Sequence, residues 1–124
     1  MTITFRQITS ILFFSFLITA CNKENINDTL IIGKWQGVHW QSNGTEINDA
    51  KATTFSFDAN KSYTYTYAGT EEKGTYRIEK NKLYTTPEGK VEIMVSIAKL
   101  TADTLIFDMN RGGQAETLTL VKSN

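Results

Sequence analysis

The 124-residue chain contains one cysteine, Cys21, and one histidine, His39, so its means for covalent or acid–base chemistry are few. A thiolate is a nucleophile and metal ligand, and an imidazole is the usual general base near neutral pH. Neither has the company such chemistry needs. No serine or carboxylate stands near His39 in a recognisable triad spacing. A single imidazole with scattered carboxylates is also a poor metal-ligand set. A strand histidine that packs or faces water accounts for His39 more simply. Arg111-Gly112-Gly113 has the composition of a phosphate cradle, but no helix start follows to supply aligned N–H groups, and a hairpin turn suffices. Glu71-Glu72-Lys73 reads as a solvated charge run. The residues therefore predict no enzyme, no metal and no cofactor. A formal net charge of zero and the absence of a basic stripe argue against a nucleic-acid partner.

The surroundings of Cys21 give the thiol another use. "MTITFRQITS" carries Arg6 and no acid, "ILFFSFLITA" is nearly all apolar, and the cysteine follows at once. A basic lead, a short apolar core and small residues before a boundary describe a secretory signal peptide, residues 1–20. The apolar run is shorter than the ~20 residues that span a bilayer. Leu17-Ile18-Thr19-Ala20-Cys21 resembles the lipobox of bacterial lipoproteins. That resemblance implies cleavage before Cys21, a diacylglycerol on its sulfur and an acyl chain such as palmitate on the new N-terminus. Two or more chains anchor stably where one does not. Residues 21–29 then form the lipidated N-terminus and a polar tether. Asn22 stands where many Gram-negative lipoproteins carry an inner-membrane retention aspartate, so the expected place is the cell envelope, at the outer membrane. Lys23-Glu24 resembles a surface-export signal, and Asp28-Thr29-Leu30 an O-glycosylation motif centred on Thr29. Each match spans three residues or fewer, and a plain solvated linker accounts for both more simply.

From Leu30 onward the chain is a train of short strands. Turn signals fall at Asn43-Gly44, Asp58-Ala59-Asn60, Gly69, Lys80-Asn81, Pro87-Glu88-Gly89, Ala102-Asp103 and Arg111-Gly112-Gly113. They separate about eight strands at a spacing of ~10–12 residues, as in an all-β sandwich or barrel. The strands alternate. Phe55 and Phe57, Tyr76 and Ile78, alternate residues Val91, Ile93, Val95 and Ile97, Leu105 and Phe107, and Leu118 and Leu120 each fall on one face. With no helix to cover that face the sheet must cover itself, and closing it removes both unpaired edges. The prediction is an all-β, eight-stranded antiparallel up-and-down barrel over residues 30–124; a flattened meander sandwich is the alternative.

Gly33-Lys34-Trp35, at the head of the first strand, matches the Gly-x-Trp step of lipocalins. The domain as a whole resembles the small lipocalin-like domains of Bacteroidota envelope lipoproteins. The resemblance implies that Trp35 packs in the closed end of the barrel under a basic side chain, for which Lys122 is the candidate. It also implies that the long Ser42–Lys51 connection covers the open mouth. The Thr-Asp-Tyr motif and C-terminal helix of larger lipocalins are absent. If Trp35 points inward, Gly37 and His39 follow it unless a bulge at Gly37 resets the alternation. Gly37 would then leave space inside.

An eight-stranded barrel is wide enough to be filled by side chains or to hold one small ligand, and the sequence leaves both open. A carrier would take a small apolar or amphipathic ligand against Trp35, His39, Phe55, Phe57 and Tyr76. The row Tyr63, Tyr65 and Tyr67 would line it or simply pack across strands. A filled barrel would instead be a non-catalytic module contacting another envelope protein.

Overall fold

A computed structural model describes residues 26–123. The expected signal peptide, residues 1–20, and the expected lipidation site Cys21 lie outside the described residues. Strand β1 runs Gly33–Ser42, β2 Thr45–Glu46, β3 Thr53–Phe57, β4 Ser62–Tyr67, β5 Thr70–Glu79, β6 Lys82–Pro87, β7 Ile93–Leu100, β8 Thr104–Arg111 and β9 Gln114–Ser123. Every sequential pair from β3 to β9 is antiparallel, β1 pairs β3, and β9 returns to β1. Eight strands thus close a barrel, and β2 is a two-residue flap on the mouth end of β1. The expected all-β, eight-stranded antiparallel barrel is the observed fold. Among the described residues the helical elements are two 310 turns, Asp28–Ile31 and Ala50–Ala52.

The turns form where the sequence offers residues that accept positive φ. Asn43 and Gly44, at 52° and 77°, close the β1–β2 hairpin, and Ala68 and Gly69, at 49° and 84°, close β4–β5. Positive φ at both central positions matches the right-handed twist of the strands they join. One expected strand starts later than its apolar pattern suggested. Val91 was expected inside, but it precedes β7 and is 82% exposed. The turn around Gly89 is still unwinding there, so the ladder to β6 begins only at Thr85↔Ile93.

The barrel has a solid half and a hollow half. At the base, where β1 begins and β9 ends, Trp35, Phe57, Tyr76, Ile97, Leu105 and Leu120 are all at least 95% buried. The first 310 turn brings Ile31 beneath them, fully buried. Trp35 donates its indole N–H to Ile31 O at 2.7 Å. Lys122 pairs with Trp35 across the closing ladder, and its Nζ sits 4.5 Å from the indole centroid. The same ammonium donates to the carbonyls of Leu30 and Ile32.

Gly33 makes this arrangement possible. Its φ of +128° lies in the left-handed half of the map, and an added Cβ would stand 2.7 Å from Lys122 Cε. Only a residue without Cβ both adopts that backbone and lets the lysine cross. The Gly-x-Trp step is therefore the base plug written in sequence.

Candidate functional site

Above the plug the strands enclose a cavity of about 400 Å³. Its floor and walls are Phe55, Tyr63, Leu83, Val95, Phe107 and Leu118; its mouth carries Trp40, Asn48, Tyr65, Tyr67, Glu72, Thr85, Ile93, Met109 and Arg111. Small-ligand sites run from ~300 to 1,000 Å³ with mainly apolar walls and a few placed polar groups. This cavity has that size and that make-up. Asn48 belongs to the Ser42–Lys51 connection, expected to cover the mouth, and is its one residue lining the cavity.

Of the five side chains predicted to meet a ligand, Phe55 lines this space. Trp35, Phe57 and Tyr76 lie in the packed floor beneath it. Phe57 meets Tyr76 edge-on at 5.0 Å, and the Tyr76 hydroxyl donates to Asp58 O at 2.8 Å. His39 lies on the outside, its side chain 60% exposed. The cause is a bulge. Against β9 the register shifts between Gly37↔Leu120 and His39↔Thr119. The alternation is reset there, so Trp40 turns inward in place of His39. Nor does Gly37 leave room for a ligand: a Cβ on it would stand 2.2 Å from the Ala50 carbonyl oxygen. That space belongs to the second 310 turn, which closes over the strand.

Outside, His39 helps to fasten the flap. Its Nδ1 is 2.7 Å from Glu46 Oε1, and the Trp40 backbone N–H donates to Glu46 Oε2 at 3.0 Å. These two bonds, the histidine first, hold the Glu46 carboxyl below the usual carboxylate range.

Inside, Trp40 donates its indole N–H to Glu116 Oε1 at 2.9 Å, and Arg111 reaches the same oxygen at 3.6 Å. Glu116 is 6% exposed. A carboxylate so buried requires compensation of this kind, and Arg111 at the mouth lies within ion-pair distance of it. Trp40 meets Tyr67 edge-on at 5.7 Å, and Phe55 packs on Tyr65 at 4.7 Å. The Tyr63 hydroxyl donates to Glu72 Oε2 at 3.0 Å. Burial, then the adjacent Glu72, raises the Tyr63 phenol well above its ordinary range. Burial raises Tyr65 as well.

The tyrosine row thus lines the cavity with all three rings. Glu72, read from sequence as solvated, faces inward: β5 alternates through Glu72, Gly74 and Tyr76, so an inward Tyr76 carries Glu72 with it. That parity was the signal available. Glu116, two residues before Leu118 on the same inner face, was available in the same way.

The strand pairing of the wall is also incomplete on one side. The β7–β8 ladder stops at Ser96↔Asp108, although both strands continue toward the mouth as Ile93–Val95 and Met109–Arg111. Four residues, Ile93, Val95, Met109 and Arg111, border both the cavity and the cleft between these unpaired segments. These four side chains form a common wall between the cavity and the cleft. Among the described residues no three His, Asp or Glu side chains converge as a metal cluster.

A family model described as a lipocalin-like domain matches residues 31–107, from the base turn into the middle of β8. No curated protein matches the sequence. Solved structures that share the fold include the following two. A lipocalin-like protein from Bacteroides uniformis superposes with a TM-score of 0.60 at 15% identity, covering 76% of this chain and 99% of the other. An uncharacterized protein from Bacteroides eggerthii gives 0.59 at 14% identity, covering 74% and 98%.

Proposed function

The chain belongs to the lipocalin-like domain family, and from that premise we propose that it carries a small apolar or amphipathic ligand inside the mouth half of its barrel. The supporting observation is the aromatic-walled cavity of about 400 Å³ above a solid base. A rigid closed sheet pre-forms such a site, so little ordering cost accompanies binding. The role involves no catalysis. Glu72 in the cavity wall is a fixed partner for a head group, and Arg111 at the mouth pairs with the buried Glu116. Anchorage through acylated Cys21 would place the carrier at the envelope, on the outer membrane, where ligands of this class partition. The lipobox sequence supports that location.

The test is a titration with the neutral fluorophore N-phenyl-1-naphthylamine. Saturable one-site enhancement is expected, abolished by Leu118→Trp, which builds bulk into the cavity from its wall. Enhancement that never saturates, or that is indifferent to Leu118→Trp, would refute the carrier. A second reading, an interaction module, draws on one observation: Val91, Ile93 and Met94 are exposed beside the unpaired edge of β7. In that case a partner protein, and not a small molecule, would protect this edge from hydrogen exchange.

A further inference from the structure

We propose that the ligand is a cationic amphiphile, an apolar body ending in an ammonium group that docks at Glu72. This rests on the carrier reading and specifies its chemistry. Two charged side chains line the cavity, Glu72 and Arg111, and they are not equivalent. Arg111 is committed to Glu116, which the Trp40 indole also holds. An anionic head group would have to compete with a built-in carboxylate for that guanidinium.

Glu72 makes no ion pair among the described residues. Its one hydrogen bond comes from the Tyr63 hydroxyl, to Oε2, which leaves Oε1 open to a donor. Tyr65 stands directly opposite Glu72 in the β4–β5 ladder, with Tyr67 two residues along on the same face. A carboxylate beside electron-rich rings attracts a cation twice, by charge and by the ring quadrupole. The apolar remainder of such a ligand fits the Phe55, Leu83, Phe107 and Leu118 walls below.

The experiment compares three chain-matched probes, decylammonium, decanol and decanoate, by displacement of N-phenyl-1-naphthylamine at pH 7. Decylammonium should bind about tenfold more tightly than decanol, and decanoate more weakly than either. Glu72→Gln should erase the ammonium advantage. Glu71→Gln, one residue away and paired outward with Lys73, should keep it, which separates position from net charge. If the three probes bind alike, or decanoate binds best, this inference fails while the carrier reading stands. If none displaces the fluorophore and the fluorophore itself does not saturate, both fail.

Discussion

Replacing Lys122 by methionine removes one ammonium and keeps a flexible apolar stem of similar length. The structure supplies the magnitude. Lys122 Nζ lies 4.5 Å from the Trp35 centroid, and a partly desolvated cation over an indole contributes ~1–2 kcal/mol. The same nitrogen bonds the carbonyls of Leu30 and Ile32. Hydrogen bonds to charged groups contribute ~1.5–3 kcal/mol, here reduced because water reaches the half-buried site. Methionine recovers some packing on the ring, so the net loss should be about 2–4 kcal/mol, a large share of the ~5–15 that holds a domain. At ~4–8 °C per kcal/mol for a domain of this size, Tm falls by about 8–32 °C. Urea unfolding followed by tryptophan fluorescence reads the loss directly. A double-mutant cycle with Trp35→Phe should return a coupling of about 1 kcal/mol. A Lys122→Met loss below about 0.5 kcal/mol, or no coupling to Trp35, would refute the base plug as a source of stability.

Three further outcomes follow from the same geometry. Gly37→Ala forces a methyl against the Ala50 carbonyl and should cost about 1–3 kcal/mol in a urea midpoint series, as overpacking does. Tyr63, Tyr65 and Tyr76 all have phenols raised by burial. Their folded forms hold protons that the unfolded chain releases near pH 10, so their stabilising contribution is complete below that pH and declines as pH rises above it. A pH series of Tm should bend downward from about pH 10, less steeply in Tyr63→Phe. Cys21→Ala should abolish labelling with radioactive palmitate and move the protein from the membrane to the soluble fraction; retention in the membrane fraction would contradict the anchor.

Period-two patterning made the barrel legible, because alternation, turn dipeptides and the lack of a covering helix leave few ways to bury one face. The base plug was legible through the Gly-x-Trp resemblance, which implied a basic side chain over Trp35 and left Lys122 as the candidate. The site was half legible. Parity placed Phe55 on the inner face, and it left the tyrosine row open between lining the cavity and packing across strands. His39 and Trp40 exchanged faces because one extra residue at Gly37 resets the count, and whether a strand bulges depends on its partner's register rather than on its own composition. Phe57 and Tyr76 share the inner face with Phe55, but height along the barrel decides between floor and cavity, and period two carries no information about height. Glu72 was obscured by its charged neighbours Glu71 and Lys73, although its parity with Tyr76 placed it inside. Val91 shows the reverse case, an apolar residue that keeps the strand's rhythm before the strand has begun.

Native mass spectrometry of the protein purified from the cells that make it bears most directly on the carrier account. The account predicts a one-to-one complex with a small molecule that dissociates on unfolding and is absent from the Leu118→Trp variant. A bare polypeptide mass under gentle desolvation, or an adduct that Leu118→Trp leaves untouched, would contradict it.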